Sequence, residues 1–451
     1  MQTLTKQSSQ ETNSALPNQK RRIGILCLVT FSLWSGNACC KPTIPGLRPT
    51  IHTVGSNADS GPGSLRDAII KAAQSPGADV INFDLKSDAL RIRLQSPLPA
   101  IGNGVTIDGF NKSGGRVELD GSQARPDASG PANGLKIIGA RNAIKGLVIH
   151  SFQGHGILIS KELAANTTNA GEIAGKLNKN TRQTQKQFFF WENQVIDNYI
   201  GTDSTGTKPM EPMVEGKDGI FVGLNSANVL IERNRIAYNK GNGVSLPDGP
   251  NPPVGIRISR NLIFLNRGIG IDLGNDGHTP NDQHAGGRDG PNHWQPHPIL
   301  RLVNTRQPAP IRRGFGFLPE AFAATMSVTI NISFPPRLLP GDRYTIELQA
   351  CSCSLNCPNC TDACLACGRA CRNCTEVCPS PASICSGTTS LLCMPSVIPT
   401  GPIVKTSNSD GSMGSFNLPI TLPIGFKGMI YAVAIHESGD SSEKSNCVPV
   451  P

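Results

Sequence analysis

Gly219-Ile220-Phe221-Val222, Gly243-Val244-Ser245-Leu246 and Gly270-Ile271-Asp272-Leu273 are three copies of one short pattern, a glycine followed by alternating apolar and variable residues. Gly134-Leu135-Lys136-Ile137 and Gly156-Ile157-Leu158-Ile159 are two earlier copies. A period of two puts Leu135/Ile137, Ile157/Ile159, Ile220/Val222, Val244/Leu246 and Ile271/Leu273 on one side of short strands, facing inward. Neighbouring copies lie about one coil apart, except across one interval that holds an insertion, so this is an internal repeat with the glycine read as a turn residue. A second register runs through Asn193-Gln194-Val195-Ile196-Asp197-Asn198, Asn234-Arg235-Ile236-Ala237-Tyr238-Asn239 and Asn261-Leu262-Ile263-Phe264-Leu265-Asn266, aligned without a gap. An asparagine at the same bend of each coil can bond the next coil's backbone and the next asparagine, satisfying polar groups that a tight turn buries. Short strands stacked in this way predict a right-handed parallel β-helix whose ends need caps.

The rest of the chain is consistent with an all-β protein. Its 451 residues allow two or three domains, and 48 Gly and 36 Pro with few aromatics suit short strands and turns rather than long helices. Lys20-Arg21-Arg22 precede an apolar run from Ile23 to Trp34, and Gly36 and Ala38 stand where a signal peptidase would cut. That run is too short to span a bilayer comfortably. Residues 1–38 are therefore read as a secretory signal, which makes the protein exported to the cell surface, periplasm or extracellular space. Cleavage would leave Cys39 at the new N-terminus as a candidate lipidation site. It would also remove Lys6, Lys20, Arg21, Arg22 and Glu11, so the formal charge falls from +9 to +6. The remaining mild basicity suits acidic polysaccharides or an anionic cell surface. No nucleic-acid partner is expected, and a membrane enters only through export or a lipid anchor.

The expected domains are a linker at 39–51, the β-helix at 52–300 with an insertion at 161–187, a second linker at 301–325, and a β-sandwich at 326–451. The sandwich rests on alternating segments such as Ser327-Val328-Thr329-Ile330-Asn331-Ile332, Tyr344-Thr345-Ile346-Glu347-Leu348 and Met429-Ile430-Tyr431-Ala432-Val433-Ala434-Ile435. A Cys-rich insert spans 351–393.

Gly61-Pro62-Gly63-Ser64-Leu65-Arg66-Asp67-Ala68-Ile69, then Gly77-Ala78-Asp79-Val80-Ile81-Asn82-Phe83 and Val105-Thr106-Ile107-Asp108-Gly109, open the repeat region. Ile200-Gly201-Thr202-Asp203-Ser204-Thr205-Gly206-Thr207 and Gly270-Ile271-Asp272-Leu273-Gly274-Asn275-Asp276-Gly277 follow, with Thr279-Pro280-Asn281-Asp282 behind them. In that order they resemble a family of exported bacterial right-handed parallel β-helix repeat proteins. Ala434-Ile435-His436-Glu437-Ser438-Gly439-Asp440-Ser441-Ser442-Glu443 is similar to the last strand of the Ig-like domain that often follows. The resemblance implies a fold and an exported location but few defined activities. It does not account for the Cys-rich insert.

Four groups of residues could carry chemistry. Gly154-His155-Gly156-Ile157 resembles the histidine motif of polygalacturonases, yet no Asn-Thr-Asp or Asp-Asp pair precedes it, and Gly154 and Gly156 fall in the slot of Gly241/Gly243 and Gly268/Gly270. Arg233 and Arg260 occupy equivalent positions on adjacent coils with Arg235 and Arg257 nearby, a cationic stripe that could bind uronates or phosphates or simply face solvent. Asp272, Asp276, Asn281 and Asp282 offer the oxygen ligands of Ca²⁺ and are also ordinary turn formers. Cys357, Cys360, Cys364, Cys367, Cys371, Cys374 and Cys378 alternate spacings of three and four, which on a helix would make a one-sided thiol stripe suited to Cu or Zn. An oxidising compartment favours disulfides instead, drawn from these seven with Cys351, Cys353, Cys385, Cys393 and Cys447. The leading reading is a non-catalytic surface scaffold, adhesive or glycan-contacting; the alternatives are a polysaccharide lyase or hydrolase acting on acidic glycans and a thiol-rich metal binder.

Overall fold

The structure, a computed structural model, describes residues 49–128, 130–160, 193–210, 216–281, 289–306, 325–335, 338, 341–352, 394–397, 403–410, 412–423, 426, 428–445 and 448–450. The expected signal, Cys39, the insertion at 161–187, Asp282 and the cysteine stripe from Cys357 to Cys378 lie outside the described residues.

Three parallel sheets run side by side along the N-terminal part. Sheet A stacks Thr50–Val54, Asp79–Phe83, Val105–Asn111, Asn142–Lys145, Asn193–Ile196, Val229–Glu232 and Arg257–Ser259. Sheet B stacks Arg91–Arg93, Glu118–Asp120, Val148–His150, Tyr199–Ile200, Arg235–Ala237 and Leu262–Phe264. Sheet C stacks Leu135–Ile137, Ile157–Ile159, Ile220–Val222, Val244–Pro247 and Ile271–Gly274. From Val105–Asn111 onward the chain passes from A to B to C and then begins the next coil, so each of these strands pairs with strands one turn away, whereas the consecutive strands Thr50–Val54 and Asp79–Phe83 pair directly. The five apolar pairs expected to face inward all lie in sheet C and are buried. Columns Ile107/Ile144/Val195/Ile231/Ile258 of sheet A and Leu119/Ile149/Ile200/Ile236/Ile263 of sheet B complete one continuous core. β-branched side chains fit such columns because their stiff χ1 packs well against the same residue one strand away.

The glycine before each sheet C strand has a different cause from the one its turn position suggested. Gly134, Gly156, Gly219, Gly243 and Gly270 do not have positive φ. Instead the coils approach so closely that a Cβ on Gly156 would lie 2.7 Å from the Gly219 carbonyl oxygen, and one on Gly219 2.8 Å from that of Gly243. Gly134, Gly156, Gly219 and Gly243 are glycine because the backbone of the next coil occupies the space of a side chain, and at Gly270, on the last coil, the Lys444 side chain fills that space.

The asparagines form ladders, with a register that corrects the gapless alignment. Asn198, not Asn193, pairs with Asn234, because Tyr199 stands opposite Arg235. Asn198 donates its backbone N–H (2.9 Å) to Asn234 Oδ1, and Asn234 donates its own (2.9 Å) to Asn261 Oδ1. Each side-chain amide also reaches back to a carbonyl of the previous coil, Asn234 to Val195 and Asn261 to Ile231, at 2.8 Å. Asn193 belongs to a separate ladder with Asn142, and Asn239 to one with Asn266. The five-residue spacing recurs because Asn193 and Asn198 bracket a sheet A strand, whereas Asn234/Asn239 and Asn261/Asn266 flank sheet B strands.

Both ends of the stack are covered. The helix Leu65–Gln74 begins at Ser64, whose hydroxyl accepts from the Asp67 N–H, and it buries Leu65, Ala68, Ile69 and Ala72 against the first coil. Arg66 ties it down by donating to the carbonyls of Pro97 (2.6 Å) and Ser96 (3.0 Å) and to Asp59. This is the physical content of the Gly-Ser-Leu-Arg opening.

At the other end stand two antiparallel sheets that share a second apolar cluster. Sheet D is Ile299–Arg306, Thr325–Ser333 and Phe416–Pro423. Sheet E is Arg343–Ser352, Met394–Val397, Ile403–Thr406, Gly428–His436 and Val448–Val450. Ile299–Arg306, expected as the end of the β-helix and the start of a linker, is a strand paired with Thr325–Ser333, with Leu300 in the second cluster.

Side chains of this part satisfy the open edge of the last coil. Asp440 accepts from Gly255 N (2.7 Å), Ser441 Oγ from Ile258 N (2.8 Å) and Glu347 from Arg260 N (2.8 Å), all along sheet A. Gln349 and Lys444 donate to the carbonyls of Asn261 (2.8 Å) and Ile263 (2.7 Å) in sheet B. Glu443 accepts from Leu273 N (3.1 Å) in sheet C. An unpaired edge that would otherwise recruit another strand is thereby closed group by group. Among the described residues, no helix is long and apolar enough to cross a membrane.

Candidate functional site

Polar chemistry gathers on the outer side of sheet B. Alternation along its strands turns Leu119 inward and Glu118 and Asp120 outward, and Ile149 inward and His150 outward. Register then stacks Arg91 on Glu118, and Arg93, Asp120 and His150 in one column. Arg91 Nε lies 2.6 Å from Glu118 Oε1, and His150 Nε2 lies 2.7 Å from the same oxygen. The other ring nitrogen, His150 Nδ1, is 2.9 Å from Ser151 Oγ. Asp120 instead accepts from the N–H of Ser122 and closes the turn after its own strand. Glu118, Asp120 and His150 are buried, and these contacts satisfy their polar atoms.

Ser151 follows His150 at φ +60°, in the left-handed region that a residue with a Cβ rarely adopts. It opens onto a pocket of about 40 Å³ between sheets B and C, whose lining includes Phe152 and Met210 with Lys217 and Lys240. Tyr238 lies on the far side of the pocket. Burial pushes its hydroxyl up to about 12, and it donates to the Thr207 carbonyl (2.7 Å).

At the corner between sheets A and B, rings and guanidinium groups alternate. Arg116 Cζ lies 4.6 Å from the Phe110 ring centre and 4.2 Å from that of Tyr199, and Arg235 Cζ lies 5.3 Å from Tyr199. Phe110 is among the exposed large apolar residues.

The structure does not bring the four arginines of the expected stripe together. Arg233 and Arg260 do share a corner one coil apart, both at φ +55°. Arg233 makes a two-pronged bond to Asp197 (3.0 and 3.1 Å) and an ion pair with Glu232 (2.6 Å), and Arg260 lies 3.7 Å from Glu232. Asp197 and Glu232 hold the Arg233 guanidinium above its usual range. Arg235 lies on sheet B and Arg257 on sheet A, so only Arg235 joins the ring stack.

Asp272 is buried beside the C-terminal Glu443. Its Oδ2 accepts from Asn242 Nδ2 (2.8 Å) and Gly277 N (3.2 Å), while Oδ1 is buried without a partner. Burial, followed by the nearby charge of Glu443, raises its carboxyl to about 6. Asp276 is exposed, and Asn281 is committed to His297, accepting from its N–H (2.9 Å) and donating to its carbonyl (3.0 Å). Three potential metal ligands meet elsewhere among the described residues, at Asp342, His436 and Glu437 of the C-terminal sheets. His155, in the glycine-flanked motif, packs its ring 4.7 Å from Phe221 and stands 3.3 Å from Asp218, at the turn into sheet C.

Glu118, His150, Ser151, Phe110, Arg116 and Tyr199 formed no motif in the sequence. Glu118-Leu119-Asp120 and Val148-Ile149-His150 each show only one inward apolar residue, and their outward partners meet once the coil length between them is known. No curated protein matches the chain. Residues 104–283 match the family model described as right handed beta helix region, and with the parallel three-sheet coils seen there, this part of the chain is a right-handed parallel β-helix.

Proposed function

We propose that the protein is a secreted or cell-surface β-helix scaffold that contacts acidic glycans along the corner between sheets A and B, with an Ig-like sandwich at its C-terminal end. The observation that carries this reading is the alternating stack Phe110, Arg116, Tyr199, Arg235, which spans four coils, with Gly146 under Phe110 on the coil that contributes no ring or guanidinium. Aromatic faces match the apolar faces of sugar rings, and guanidinium groups match uronate carboxylates by paired hydrogen bonds. Coils stacked about 4.8 Å apart present such groups in a row, the form an extended polysaccharide requires. Export follows from the reading of residues 1–38 as a signal, and cell fractionation tests it.

Binding of the full chain to polygalacturonate, alginate and a neutral glucan, measured by calorimetry, tests the glycan reading. Acidic chains are expected to bind in preference to the neutral one, and the double variant Arg116→Ala/Arg235→Ala is expected to lose at least about tenfold in affinity. Equal or absent binding to all three glycans overturns it.

A further inference from the structure

We propose that Ser151, His150 and Glu118 form a nucleophilic relay that hydrolyses small acyl esters. This inference does not depend on glycan contact, because the pocket lies between sheets B and C and the ring stack lies between sheets A and B. Three independent features converge. The first is hydrogen-bond geometry: Ser151 Oγ to His150 Nδ1 at 2.9 Å and His150 Nε2 to Glu118 Oε1 at 2.7 Å, a nucleophile, a base and an orienting carboxylate in line. The ring nitrogens exchange the roles they have in the serine protease template, and such relays are recognised by geometry and role rather than by chain order. The second is conformation. Ser151 is held at φ +60° straight after a strand, the corner conformation that Tyr238 (φ +61°) and Leu265 (φ +49°) repeat on later coils, so the coil itself fixes where its side chain stands. The third is the pocket onto which Ser151 opens, whose lining includes Phe152 and Met210 with Lys217 and Lys240. At about 40 Å³ it suits a one- or two-carbon acyl group rather than a sugar ring.

The chemistry is balanced with water as the co-reactant. With Nε2–H donating to Glu118, Nδ1 of His150 is free to accept the Ser151 proton as Oγ forms a bond to the ester carbonyl carbon. The carbonyl becomes an oxyanion beside the positive charges of Lys217 and Lys240, and Glu118 stabilises the imidazolium. The oxyanion collapses, the ester C–O bond breaks, and Nδ1 returns the proton to the leaving alcohol. Water, deprotonated by the same nitrogen, then attacks the acyl-Ser151 carbonyl and releases the carboxylic acid, which regenerates the hydroxyl. Arg91, 2.6 Å from Glu118, is a positioning residue that holds the carboxylate toward the ring.

The test uses full-length protein with p-nitrophenyl acetate and a fluorophosphonate probe. Ser151→Gly removes the nucleophile and also suits the left-handed backbone, so the variant is expected to melt no lower than wild type. Hydrolysis at least about 100-fold above that of Ser151→Gly is expected, with a phosphonyl adduct located on Ser151 by peptide mass spectrometry. Glu118→Gln is expected to lower kcat and change the pH profile while leaving KM nearly unchanged. Wild-type turnover equal to that of Ser151→Gly, or a probe that leaves Ser151 unmodified, overturns the proposal. The labelling result stands on wild-type protein alone, whatever the variants' stability.

Discussion

The ammonium nitrogen of Lys444 lies 2.7 Å from the carbonyl oxygen of Ile263, joining the C-terminal sheets to the last strand of sheet B. The Tyr431 ring centre is 4.3 Å from the same nitrogen, and the side chain is buried. Burial lowers this lysine to about 7. Between that value and its usual 10.5 the unfolded chain binds the proton more readily than the folded one, so this group makes stability rise with pH above about 7. Wild-type protein is expected to gain up to about 1 kcal/mol per pH unit from pH 7.5 to 9 relative to Lys444→Met. Urea titrations of both proteins across that range check it.

Asp272 supplies a dependence in the other direction. Its folded-state value of about 6 exceeds the ordinary 3.8, so the folded protein takes up the proton first and stability falls as pH rises between those values. Asp272→Asn keeps an acceptor for the Asn242 amide and the Gly277 N–H, and it removes a buried charge facing Glu443. The variant is expected to be more stable than wild type by about 1–2 kcal/mol at pH 7.5 and to lose that advantage near pH 4. Thermal melts at the two pH values decide the sign.

The asparagine ladder predicts a large cost at its middle rung. Asn234→Ala removes the acceptor of the Asn198 N–H and the donor to the Val195 carbonyl, both in the interior. A loss of about 2–4 kcal/mol is expected. Substituting Asp at the same position keeps the acceptor but turns a carboxylate oxygen toward the Val195 carbonyl and Asn261 Oδ1 with no cation beside it among the described residues, so at pH 7 it should cost at least as much as Ala. Equilibrium unfolding of both variants at pH 7 checks the order.

The glycine column tests the close approach of the coils. Gly219→Ala places a methyl 2.8 Å from the Gly243 carbonyl oxygen, a backbone atom that cannot rotate away, and closer still against the buried side chain of Ile236. A destabilisation of about 3 kcal/mol is expected. Gly277→Ala, at positive φ with open space around it, should cost only its local backbone strain. Comparing the two melting temperatures distinguishes steric contact from turn conformation.

Alternation of apolar residues and recurrence of glycine and asparagine carried the β-helix in the sequence alone, because a coil that stacks on copies of itself must repeat the groups that face the core and the bends. Leu135/Ile137 and its four counterparts were legible for that reason. The pairing of Asn198 with Asn234 was not, since the five-residue interval between bends repeats within a coil and only strand register distinguishes one bend from the next. The cationic stripe shows the same limit. Charge at Arg233 and Arg260 is visible in the sequence, and so is Glu232 beside Arg233, but Asp197 reaches Arg233 and Glu232 reaches Arg260 only through stacking. Glu118 and His150, 32 positions apart, meet for the same reason. The closing of the last coil by Asp440, Ser441, Glu443 and Lys444 likewise depends on folding bringing the chain's end back to strands more than 160 residues earlier. Sequence by itself determined the period of the coil and which faces turn inward. Tertiary structure decided which outward side chains stand together, because that depends on coil length and register, and neither is carried by any single residue.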